Sequence, residues 1–204
     1  DWTDFAADMN RDGEKLRFTF FVSGINFLAN ARKQIYQGPN QTRGASRINF
    51  GGTPEDVRKR IAFINALHKQ GHEIASHAVG HFDGRGWSAS QWNAEFASFD
   101  ALMSNIAVNN DLAPEEALAV SPKDLAGFRA PYLAHSPGLY SALAERGFRY
   151  DTSGTAPSTA WPEKLSGIWR FNLAGIRISG SGRATLSMDY NFLVAHSGIG
   201  GIAS

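Results

Sequence analysis

Cysteine is absent from the 204 residues. That removes disulfide frameworks, Cys-ligated zinc and thiol catalysis together, so any metal has to be held by His and carboxylate side chains. An excess of either charge is also missing: 20 Lys and Arg face 19 Asp and Glu, for a formal net charge of +1. No global field points to nucleic acid or to an anionic membrane, which favours a neutral or mixed-charge substrate. No apolar run approaches the ~20 residues that span a bilayer. The opening Asp1-Trp2-Thr3-Asp4 has neither the basic region nor the apolar stretch of a signal peptide. The sequence therefore reads as a mature form or a fragment.

What is present is a foldable chain. Hydrophobic residues make up 43% and charged residues 19%, a balance that excludes wholesale disorder. The length suits one domain over 1–204 with a real core. Residues 17–23 form a compact aromatic and β-branched run that predicts a buried strand. Residues 30–52 are polar and glycine-rich and predict a long surface loop. A helix is expected over 54–70, capped by Thr53, with Pro54 in its first turn and Val57, Ile61, Ile64 and Leu67 on one face. A short strand at 72–76 follows, then a second helix over 90–108 with an apolar stripe of Trp92, Phe96, Phe99, Met103 and Ile106. Further strands are expected at 127–130, 148–152, 168–173 and 184–189, with a helix over 136–146. Strand–helix alternation implies an α/β fold with a mostly parallel sheet. In a closed or distorted barrel, the working residues sit at the C-terminal strand ends.

Chemistry-bearing residues follow several of those strands. Ser76-His77-Ala78-Val79-Gly80-His81 places two histidines four apart. On one face of a helical turn both imidazoles reach a single metal. No Glu follows His77, so this is not the zincin pattern with its built-in base. Two polar loop histidines are the competing reading. Gly127-Phe128-Arg129-Ala130-Pro131-Tyr132 ends a strand in an arginine able to fix a carboxylate, and Tyr132 offers a backbone N–H to an oxyanion. Asp151 ends the next strand, where it binds substrate, orients another side chain or caps a turn. Asp189 lies in a late aromatic segment, and Trp161 and Trp169 are either sugar platforms or buried core. His68 and His72 read as structural, His135 as exposed, and His196 as ambiguous.

Taken in order, TFFV at 19–22, GHEIASHAVGH at 71–81, FRAPY at 128–132 and GFRYDTS at 147–153 resemble the polysaccharide deacetylase family, the NodB-homology domain of carbohydrate esterase family 4. The resemblance runs from about residue 17 to residue 169. It implies a distorted (β/α) barrel with a metal site, usually zinc, in a surface groove. It implies removal of N-acetyl groups from a peptidoglycan or chitin-like polymer outside the cytoplasm of a bacterium. By the same resemblance His77 and His81 are metal ligands together with an Asp, Arg129 orients the catalytic base, and Tyr132 helps bind the oxyanion.

The family's first motif, a strand leading to an Asp pair, has no clear counterpart. Asp1 and Asp4 are the early carboxylates nearest that region, and Asp1 is taken as the third ligand. The base Asp and the late acid His also lack clear matches, since His196 is the only late histidine. The expectation is a barrel incomplete at both ends. An O-acetyl esterase acting on a xylan-like polymer, a non-catalytic carbohydrate binder and a plain α/β domain stand as alternatives. The oligomeric state has no signal in the sequence.

Overall fold

The computed structural model describes residues 16–178 and 183–188. A six-stranded sheet carries the architecture, in the order β1-β2-β3-β4-β7-β6. Its strands are β1 (Thr19–Val22), β2 (Glu73–Ser76), β3 (Gly127–Phe128), β4 (Tyr150–Asp151), β6 (Glu163–Leu165) and β7 (Ile168–Arg170). The first five in that spatial order run parallel, and β6 turns back antiparallel on β7. A second sheet joins β5 (Thr155–Pro157), β8 (Leu173–Arg177) and β9 (Ala184–Leu186), with β8 at its centre. The α/β expectation holds. Among the described residues the main sheet stays open and does not close into a barrel.

The helices form where capping and apolar spacing agree. In α1 (Pro54–Lys69) the Thr53 Oγ1 accepts from Asp56 N, and the Asp56 carboxylate accepts from Thr53 N. That reciprocal pair satisfies two donors no helical bond can reach. Val57, Ile61, Ile64 and Leu67 are buried on one face. Each such side chain stabilises by about 1.5–3 kcal/mol relative to exposure. Gly71, at φ +88°, lets the chain turn into β2.

Helix α2 (Ala89–Ser104) repeats the device with Ser88 and Gln91. Its buried face meets Phe128 of β3 and Phe148, with the Phe96 and Phe128 ring centroids 5.0 Å apart and edge-on. The single helix expected over 90–108 is broken at Asn105. Its side-chain amide donates to Ala101 O at 2.8 Å and competes with the ladder, so a short α3 (Ile106–Asn109) starts afresh. Helix α4 (Pro137–Glu145) is capped by Ser136, whose Oγ accepts from Leu139 N.

Two other expectations are corrected. Residues 168–173 are not one strand, because β7 ends at Arg170 and β8 begins at Leu173 in the other sheet. The switch occurs where Phe171 N donates to Asp151 O and Leu173 N donates to Gly154 O, so the partner changes from β4 to the segment after it. The loop over 30–52 is not all surface. Asn30–Ile35 winds as a 3-10 helix, and Tyr36 behind it is buried. His72 is a satisfied core residue as expected, its Nδ1 accepting from Phe18 N at 3.2 Å.

Candidate metal centre

The parallel register aligns Ser76 at the end of β2 with Val22 of β1 and Phe128 of β3. His77 and Arg129 therefore leave the sheet side by side at its C-terminal edge. The histidine rings meet there, with centroids 5.0 Å apart and planes at 69°.

The route by which they meet differs from the expected helical turn. Residues 77–81 form an irregular loop in which Ala78 and His81 both adopt left-handed φ, 57° and 55°. Non-glycine residues enter that region at a cost of order 1–3 kcal/mol, so the surroundings must hold them there. The hold comes from three directions. Gly24 N and Ile25 N donate to Ala78 O and Val79 O, Arg47 N donates to Gly80 O, and the Glu95 carboxylate accepts from Val79 N and Gly80 N at 3.0 and 3.2 Å.

Glu95 escaped the sequence reading. It is fully buried on α2 and also accepts from Tyr36 Oη at 2.8 Å. Burial pushes its carboxyl pKa up, and the hydrogen bonds from Tyr36, Gly80 and Val79 pull against that. Its signal was available in the sequence: a carboxylate inside the stripe of Trp92, Phe96 and Phe99 needs buried donors to be tolerated.

His77 Nδ1 lies 2.7 Å from the carbonyl oxygen of Arg129. A carbonyl can only accept, so Nδ1 carries the proton and Nε2 keeps its lone pair. Burial, with smaller contributions from His81 and Arg129, pushes the His77 pKa from 6.5 down to about 4. Burial also lowers that of His81, against a smaller raising effect from its own backbone, and its Nδ1 is buried with no side-chain or neighbouring-residue partner among the described residues. Both rings are therefore neutral near pH 7 and available as ligands. Among the described residues no third His, Cys, Asp or Glu joins them in a cluster able to hold a metal. Asp1, the third ligand taken from the sequence, lies outside the described residues, as does Asp189.

Arg129 is anchored through both backbone and side chain. Its N–H donates to Ser76 O, its Nε donates to Thr152 Oγ1 at 2.7 Å, and its guanidinium lies 4.4 Å from the Phe21 ring centre. Tyr132 is 54% exposed, left-handed at φ 56°, and its ring stands 5.0 Å from that of His81. Its N–H has no acceptor among the described residues.

Asp151 is fully buried and receives Ser153 N at 3.0 Å and Ser153 Oγ at 2.5 Å. The same Oγ accepts from Ala130 N, so the carboxylate braces the end of β4 against the segment after β3. Trp161 is 88% exposed, beyond β5, and no contact among the described residues ties it to the histidines.

No protein-family profile matches the chain. Among curated proteins, "Chitin deacetylase 1" of Bombyx mori is 29% identical over 130 residues, which cover 61% of this chain and 22% of the relative. The chain thus spans about a fifth of the length of that relative. Solved structures with partial likeness include a family 4 acetyl xylan esterase from Clostridium thermocellum, at 18% identity and TM-score 0.38, covering 78% of this chain and 56% of that one. A family 4 carbohydrate esterase from Streptomyces lividans gives 16% identity and TM-score 0.35, covering 67% and 60%. A carbohydrate esterase family 4 pseudoenzyme from Bacillus anthracis gives 10% identity and TM-score 0.33, covering 65% and 40%. The chain resembles the polysaccharide deacetylases of carbohydrate esterase family 4, as its ordered motifs imply.

Proposed function

We propose that this chain is the metal-binding part of a hydrolase that removes N-acetyl groups from a polysaccharide of the peptidoglycan or chitin type, outside the cytoplasm. The observation that carries the reading is the pair of adjoining neutral imidazoles, one of them locked in a single tautomer by the Arg129 carbonyl. A second hydrogen bond on the far ring nitrogen is how metal-ligating histidines are oriented and made more basic. His81 Nδ1, buried with no partner from another described residue, fits the same purpose, because an unpaired buried polar atom costs about 1–3 kcal/mol unless something binds it. With imidazole donors and no thiolate, a divalent cation is held through nitrogen, and Zn2+ is the first choice. Asp1 is the proposed carboxylate ligand.

When bound, such a cation supplies Lewis acidity and a water of lowered pKa. The chain's own residues do the rest. Tyr132 N–H, which has no acceptor among the described residues, is the proposed donor to the oxygen that gains charge. Arg129 is the proposed orienting group for a carboxylate base, braced by Thr152 and Phe21. Asp151, Trp161 and Asp189 are the proposed substrate-side residues. For Asp151 full burial makes that support indirect, through the 151–153 turn.

Calorimetric titration with Zn2+, alongside acetate release from N-acetylglucosamine oligomers, tests the reading. His77→Ala should lose both; a variant that keeps full acetate release rejects it. Release from acetylated xylan but not from the amide oligomers replaces it with the O-acetyl esterase. Glycan binding with no release from either substrate replaces it with a non-catalytic binder.

A further inference from the structure

Between the start of α4 and the end of β7 lies a cavity of about 620 Å³. Its wall includes His135, Ser136, Tyr140, Ser141, Ser166 and Arg170. Arg170 is the unusual member. It ends β7 with a carboxylate beside it on each neighbouring strand: Asp151 in parallel register on β4 and Glu163 in antiparallel register on β6. Cross-strand partners of opposite charge ordinarily pair. Here the attraction between Arg170 and Asp151 stays at a distance, without an ion-pair contact, and Arg170 Nε has no hydrogen-bond partner among the described residues.

Asp151 spends its oxygens on Ser153, and Glu163 is exposed. The guanidinium instead stacks over Tyr140, 3.7 Å from the ring centre, and its Nε is buried without a partner. Stacking fixes the plane of the fork and leaves its edge donors for something else. The Tyr140 hydroxyl, protonated at neutral pH as a phenol is, adds a further donor at the same wall.

We propose that this cavity is a subsite for a carboxylate-bearing sugar, with Arg170 as its anchor and the Tyr140 hydroxyl as a second donor. A guanidinium preoriented by stacking, with its Nε not used by any hydrogen bond among the described residues, matches a carboxylate by paired hydrogen bonds, as a lysine does not. The hydroxyls of Ser136, Ser141 and Ser166 supply the adaptable polar contacts a sugar ring needs. The polymer would then be acidic, with a uronic or lactyl carboxylate on a unit near the acetylated one. This rests on the glycan reading above but not on catalysis, because binding alone reports it.

The test compares two tetrasaccharides by calorimetry at pH 7 and low salt. One alternates N-acetylglucosamine with glucuronic acid; the other is neutral N-acetylglucosamine. The acidic oligomer should bind about tenfold tighter or more, the scale of one charge-assisted pair. Arg170→Gln should remove that preference, and Arg170→Lys should restore only part of it. Tyr140→Phe, which keeps the stacking ring, should reduce the preference without abolishing it. Thermal melts of each variant establish that it folds. Equal affinity of the wild-type protein for both oligomers overturns the proposal, as does a folded Arg170→Gln protein that still prefers the acidic one. Loss of acetate release with the preference intact would count against the hydrolase reading alone.

Discussion

Replacing Glu95 is the sharpest probe of how the histidine loop is held. Its carboxylate serves three buried donors: Tyr36 Oη, Val79 N and Gly80 N. Glu95→Ala leaves all three facing a void where water has little access. Each stranded donor costs about 1–3 kcal/mol, and partial relaxation of the loop brings the expected loss of stability to about 3–5 kcal/mol. That is a large share of the roughly 5–15 kcal/mol that keeps a domain folded. Glu95→Gln keeps an oxygen for Val79 and Gly80 but turns an amide toward the Tyr36 hydroxyl, which must then accept. Its expected cost is only about 1–2 kcal/mol. The second readout is Zn2+ affinity, measured by titration at a temperature where every variant is folded. Release of residues 79–80 lets His81 leave its left-handed conformation, so Glu95→Ala should weaken Zn2+ binding by about tenfold or more, and Glu95→Gln by less. A purely structural glutamate would move the urea midpoint and leave the affinity of the folded protein alone. That outcome refutes Glu95 as a positioning residue.

Two further outcomes follow from the same geometry. The metal-free protein should lose stability as pH falls from 6.5 toward about 4, because there the unfolded chain takes up a proton at His77 that the folded chain refuses. The contribution is fully present above that window and amounts to roughly 3 kcal/mol. Urea midpoints at pH 7, 5 and 4 measure it, and a His77→Gln variant with the same slope would assign the effect elsewhere. Ser153→Ala strands Ala130 N and one Asp151 oxygen, so it should lower stability by about 2 kcal/mol, and an unchanged thermal midpoint would show that the bridge is idle.

The parts legible in the sequence are those that local chemistry dictates. Thr53 and Pro54 start α1, Gly71 ends its turn, and the TFFV and EIAS runs become neighbouring parallel strands. The two histidines were legible as a pair, but the mechanism of their convergence was not. A spacing of four suggests a helix, whereas left-handed residues at 78 and 81 depend on donors from Gly24 and Arg47 and on the Glu95 carboxylate as acceptor, all distant in sequence. The same holds for Asn105, where one amide side chain defeats a continuous apolar stripe. Asp151 shows the converse. Its place at a strand end was legible, but only tertiary packing reveals that both of its oxygens are already engaged.

The bond between His77 Nδ1 and the carbonyl of Arg129 has a consequence for anyone transplanting this site. The acceptor is main chain, so no side-chain substitution at 129 deletes it, and copying the six residues from Ser76 to His81 into another scaffold leaves it behind. A graft that reproduces the centre has to import two loops from adjacent strands as one rigid piece, and tilting the peptide plane after residue 129 will detune the ligand with every side chain intact.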